Sequence, residues 1–178
     1  MTADAFRRLR RLFTLFLFLA PTGLLLWRWG HGGIPVHHVL HRADMPGLST
    51  AWDPVVLPLL GWALLGRTRR RLLGDPTSAR GAAYGFAGAL ALSLALAVTF
   101  TLGFQGVPPK IVNGLLILAL LFPIYRAECV LGWVIGGTVT FGAILPTAFA
   151  GVMAGLGFLL HRVARLLGRG VARMRGRG

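Results

Sequence analysis

Three clusters of arginine, separated by long uncharged apolar runs, constrain this chain more than any other feature of it. Fifteen of its nineteen Lys+Arg residues fall in them: Arg7, Arg8, Arg10 and Arg11; Arg67, Arg69, Arg70, Arg71 and Arg80; and Arg162, Arg165, Arg169, Arg173, Arg175 and Arg177. In membrane proteins, short loops rich in Lys and Arg stay on the cytoplasmic side. The three clusters then share one face of a bilayer, and an even number of crossings separates each pair.

The runs between the clusters fit a membrane. Charged residues fill 13% of the 178 positions, against about 25% in a soluble domain. No polar stretch is long enough to fold separately, so residues 1–178 read as one all-α integral membrane unit with both termini cytoplasmic. The expected setting is a bacterial-type inner membrane. The net charge of +14 becomes a topology signal and an attraction to anionic lipid, which argues against nucleic acid as a partner. The N-terminus has the basic-then-apolar order of a secretory leader. No A-x-A-type cleavage site follows, and apolar character resumes at Gly23–Trp29, so an uncleaved first span is expected. Cys129 is the single cysteine, which excludes an intramolecular disulfide and any CxxC motif.

Four spans are expected, at about 12–29, 48–66, 81–104 and 129–160. Pro21 is expected to kink the first, and Trp27 and Trp29 to mark its outer interface. After Asp53 the second has only Pro54–Gly66 before Arg67. That is about 20 Å, short of a core of roughly 30 Å. The helix is therefore expected to begin near Leu48 and carry Asp53 into the membrane. The third span is free of charge, and Ala83, Ala87, Ala91 and Ala95 form a small-residue stripe suited to close helix packing.

Parity then leaves two arrangements for residues 81–161. In one, Ile111–Ile124 is a re-entrant or half-length helix (111–124) on the outer side, and 129–160 is one long tilted helix bent near Pro146. The other has six short spans, with Arg126 and Glu128 cytoplasmic and a turn near Pro146. The four-span arrangement is preferred, because no polar residue or strong turn signal marks a hairpin tip at Pro146. The tail 162–178 carries a weak apolar face, Val163, Leu166 and Leu167, and is expected on the inner leaflet.

Two groups of residues carry possible chemistry. Val36–Ala43 reads as a short outer helix on which His37, His41 and Asp44, spaced i, i+4 and i+7, share a face, with His38 beside them. Two imidazoles and a carboxylate can hold a transition metal ion. An interfacial helix with solvated histidines explains the same residues. The second group is Arg126 and Glu128, flanked by apolar runs, with Asp53. Charges beside spans are costly and often functional. Asp53 or Asp44 is the expected partner of Arg126, and Arg42 or a histidine that of Glu128, in one polar site at the outer leaflet. Gly132 with Gly136, and Gly151 with Gly155, read as small-xxx-small pairs for packing or self-association.

There is no P-loop, GxSxG or GxGxxG. The reading is a small non-catalytic membrane subunit, assembly factor or scaffold. A metal-binding protein or enzyme acting on a lipid-like or small substrate at the outer leaflet is the alternative, and a transporter component acting as an oligomer is third.

Overall fold

A computed structural model describes residues 2–31, 36–38, 47–104 and 106–175. It is an all-α bundle of six helices: α1 Ala3–Gly30, α2 Asp53–Leu72, α3 Pro76–Thr101, α4 Val107–Leu121, α5 Ala127–Phe141 and α6 Ile144–Arg175. Among the described residues, a minimal antiparallel strand pair, β1 Val36–His38 with β2 Gly47–Ser49, and a 3-10 turn, Thr50–Trp52, precede α2. Three of the helices, α1, α3 and the Ile144–Leu166 part of α6, are long and apolar enough to cross a membrane.

Local chemistry sets the helix boundaries. Thr2 caps α1, its hydroxyl accepting the N–H of Ala5 at 3.2 Å, so the helix includes the first arginine cluster. Asp75 caps α3 ahead of Pro76, whose fixed φ suits a first helical position. Pro123 ends α4 by pushing Phe122 into extended backbone (φ −121°, ψ 148°).

The contacts show successive helices running in alternate directions. Arg10 of α1 donates to the Trp62 carbonyl of α2 at 3.0 and 2.7 Å, and stacks over the Trp62 ring. Gly66 makes room for it, since a Cβ there would lie 3.0 Å from the guanidinium. Helices α3 and α5 run parallel, with α4 returning the chain between them. Ser93 Oγ donates to the Trp133 carbonyl at 2.7 Å, and Phe100 meets Phe141 edge-on. Helix α6 runs back along α5, from Trp133 stacked on Phe149 to Tyr125 against Phe158 and His161. All three arginine-bearing segments therefore begin or end at one end of the bundle, together with Arg126.

The core centres on α5. Leu131, Gly132, Trp133, Val134, Gly136 and Gly137 are buried there, and Leu17, Leu57, Leu115 and Ala150 close around Trp133 and Val134. Gly132 and Gly136 form the close approach to α3 that their spacing suggests: a Cβ on Gly136 would lie 2.8 Å from Ser93 Cβ. The alanine stripe of α3 does not pack this way. Ala83, Ala87, Ala91 and Ala95 are exposed, and α3 instead turns Ala82, Ser93 and Ala97 inward. Gly151 and Gly155 also face open space.

Three expected elements differ. Residues 129–160 are two helices, because Gly142 takes a left-handed conformation (φ +70°) and ends α5. Helix α2 starts at Asp53, not near Leu48, and continues past Arg67 to Leu72. Val36–His38 is strand rather than helix, while His41 and Asp44 of the expected helical face lie outside the described residues.

Candidate functional site

A groove of about 550 Å³ lies between α3, α4, α5 and α6. Apolar side chains make its walls: Leu92 from α3, Leu115 and Leu118 from α4, Trp133 from α5, Phe149 and Met153 from α6. Its size falls in the ordinary range of ligand pockets, roughly 300–1,000 Å³. Along α3 the lining runs from Gly81 to Leu92, about 16 Å at 1.5 Å per residue. That is about half of a hydrocarbon core of roughly 30 Å.

Polar groups gather at one mouth, where α2 ends and α3 and α5 begin. Arg126 and Glu128 both line the groove there. Glu128 is buried, 5% exposed, and forms an ion pair with Arg71 of α2. Glycines on α3 let these groups approach: a Cβ on Gly81 would lie 3.2 Å from Arg71 Nη2, and one on Gly85 3.1 Å from Cys129 Sγ. Arg126 is exposed at the rim, near enough to Arg71 for their like charges to interact. It precedes the first turn of α5, which no side chain caps. Its own hydrogen bonds are made by its backbone, whose carbonyl accepts the N–H groups of Cys129 and Val130 at 3.0 and 3.1 Å.

Asp53 sits at the other end. Its carboxylate is buried and accepts the Ala143 N–H at 2.7 Å, next to Gly142. A carboxylate at the start of α6 also suits the positive end of that helix. Asp53 shares a smaller cavity, about 200 Å³, with Arg28 and Thr50.

The structure therefore brings Arg126 and Glu128 together and keeps Asp53 apart from them. Ala143, which Asp53 contacts, is fifteen positions along the chain from Glu128, about 22 Å of helical rise. Among the described residues the partner of Glu128 is Arg71. His41, Arg42 and Asp44 lie outside the described residues, and only the backbone of His37 and His38 is described. Among the described residues no group of three or more His, Cys, Asp or Glu side chains is placed to hold a metal ion. Sequence reasoning missed Arg71 because it belongs to a cluster whose other members explain it as a topology signal. The signal available was parity: the six-span arrangement puts Glu128 on the side of Arg71.

Comparison with protein-family models, curated proteins and solved structures finds no match.

Proposed function

We propose that this chain is a non-catalytic membrane protein that crosses the bilayer six times, with both termini cytoplasmic, and holds the apolar part of a membrane amphiphile in the groove between α3 and α6. The observation that carries this reading is the groove itself: apolar walls about one leaflet deep, with the polar groups collected at the arginine end. Its surroundings support it. Leu12, Phe16, Leu19, Trp27, Ile117 and Leu121 are all exposed, a surface that suits lipid and not water. Binding is favoured over catalysis because Arg71 engages Glu128, and among the described lining residues there is no Ser or His to pair with Cys129.

Six crossings satisfy the parity of the arginine clusters. They require Arg126 to be cytoplasmic and Lys110 to be outside. With Cys129 replaced by Ala, an impermeant thiol reagent should label a cysteine at position 126 only from the cytoplasm and one at 110 only from outside. External labelling at 126 refutes this arrangement.

The groove is tested with a phospholipid bearing a photoreactive acyl chain. Crosslinks should concentrate on Leu92, Leu118, Phe149 and Met153. Gly88 lines the groove, and a Cβ there would meet nothing within 4 Å. Gly88→Trp should therefore fill the space without disturbing the bundle and reduce crosslinking several-fold. Uniform labelling of all exposed faces, unchanged by Gly88→Trp, defeats the reading. Co-purification of a stoichiometric protein whose helix crosslinks to the same residues would identify the groove as a subunit interface instead.

A further inference from the structure

The groove has a charged mouth, and its charges do not balance. The chain has five acidic residues. Four are described, and each is engaged by a group other than Arg126. Asp4 pairs with Arg7, Asp53 accepts from Ala143, Asp75 caps α3, and Glu128 pairs with Arg71. The fifth, Asp44, lies outside the described residues. At the mouth two guanidinium groups, Arg71 and Arg126, thus face one carboxylate, leaving one net positive charge. Arg126 is exposed at the rim, where an anionic group entering the mouth can reach it. No side chain caps the first turn of α5, so the positive end of its helix dipole lies at the same place.

We infer that this mouth is a headgroup site for an anionic phospholipid of the cytoplasmic leaflet, with Arg126 holding the phosphate and Arg71 joining it in competition with Glu128. The inference rests on the groove being an acyl-chain site. A phosphodiester carries the single negative charge that the mouth lacks, and guanidinium forks bind phosphate oxygens through paired hydrogen bonds. An acyl chain attached to that phosphate would run directly into the apolar groove. A zwitterionic headgroup brings its own cation and gains less from Arg126. Glu128 then has a defined role: it keeps Arg71 neutralised when the mouth is empty, and sets the threshold that an incoming anion must exceed.

The test uses the full chain purified in non-ionic detergent, titrated with phosphatidylglycerol, with phosphatidylcholine of the same chains, and with glycerol phosphate. Phosphatidylglycerol should bind more tightly than phosphatidylcholine. Arg126→Gln should weaken phosphatidylglycerol about tenfold and phosphatidylcholine by distinctly less. Attraction of anionic lipid to the arginine clusters persists in that variant, so the difference reports Arg126 alone. Arg126 is exposed, so its replacement leaves the core intact. Arg126→Lys should restore part of the affinity, and Glu128→Gln should raise it by freeing Arg71. Phosphatidylglycerol binding unchanged in Arg126→Gln overturns the headgroup site. If Gly88→Trp still weakens both lipids, the groove stands without it. Failure of wild-type protein to bind either lipid overturns the groove as well. Glycerol phosphate binding as tightly as phosphatidylglycerol would make this a soluble-anion site and overturn the lipid assignment.

Discussion

Replacing Gly136 by Ala tests the packing on which the whole bundle depends. The new Cβ would lie 2.8 Å from Ser93 Cβ and 2.9 Å from the Leu90 carbonyl oxygen, against 3.4 Å or more in ordinary contact. Neither neighbour can rotate aside. One is backbone, and the other is the first atom of a side chain that is 1% exposed and donates to the Trp133 carbonyl. Helices α3 and α5 must therefore separate by roughly half an ångström along their tightest seam. Overpacking of this kind costs about 1–3 kcal/mol, and the Gly→Ala gain in helix propensity returns up to about 1 kcal/mol. A net loss of about 1–2 kcal/mol should lower Tm in mild detergent by roughly 2–8 °C for a chain of this size. Gly132→Ala should be worse, because its Cβ would run into the Phe86 carbonyl oxygen. Gly151→Ala should do the opposite. It meets open space, keeps the propensity gain and should melt at or above wild type. A Gly136→Ala protein as stable as wild type, or a Gly151→Ala protein equally weakened, would refute the seam.

Asp53→Ala removes a charge-assisted hydrogen bond to the buried Ala143 N–H. It should cost about 1.5–3 kcal/mol, with Asp53→Asn costing less; equal melting of Asp53→Ala and wild type would contradict the assignment. Ser93→Ala removes one neutral hydrogen bond between α3 and α5 and should cost about 1 kcal/mol by the same measurement. Asp75 gives a pH dependence. Hydrogen bonds from the Ser78 side chain and backbone hold its carboxyl below the usual range, outweighing slight desolvation. Its folded pKa is thus depressed, so its contribution is complete above the unfolded value of about 4 and is lost as pH falls through the folded one. Amide exchange in the first turn of α3 should quicken in acid. Asp75→Asn should remove that response, and an unchanged response would exclude Asp75 as its source.

The arginine clusters made much of the fold legible, because charge at a membrane face is a property of composition and order alone. They did not identify the break in residues 129–160. That signal was present as Phe141-Gly142 followed by Pro146, a helix stop and restart, but it carries no polar residue. The turn needs none of its own, because Asp53, ninety positions earlier, supplies the acceptor for Ala143. The pairing of Arg71 with Glu128 was hidden for the same reason: a tertiary partner leaves no local trace. At Val36–His38 the histidine spacing suggested helix, and pairing with Gly47–Ser49 prevailed. Strand propensity depends on a partner that sequence periodicity does not name.

The preference for four spans over six rested on the missing turn signal at Pro146. Six crossings also need short helices, and length is a criterion for helices that touch lipid. Helix α5 has 15 residues, about 22 Å of rise, short of a roughly 30 Å core. It nevertheless fits the proposed six crossings, because most of its surface is covered by protein: α2, α3 and α6 all pack on it, and Val134 is fully buried. A helix enclosed by its neighbours need not match the bilayer, since lipid tails do not reach its ends. Helix α4 is equally short but peripheral, with Leu116, Ile117 and Leu121 exposed. For that helix the proposed crossing implies a mismatch with the bilayer, which tilting or local thinning would accommodate at a modest cost. The groove lies beside this same helix. A lipid seated between α3 and α4 would cover apolar surface that the short helix leaves open, so the proposed binding would relieve the mismatch that the proposed crossing of α4 creates.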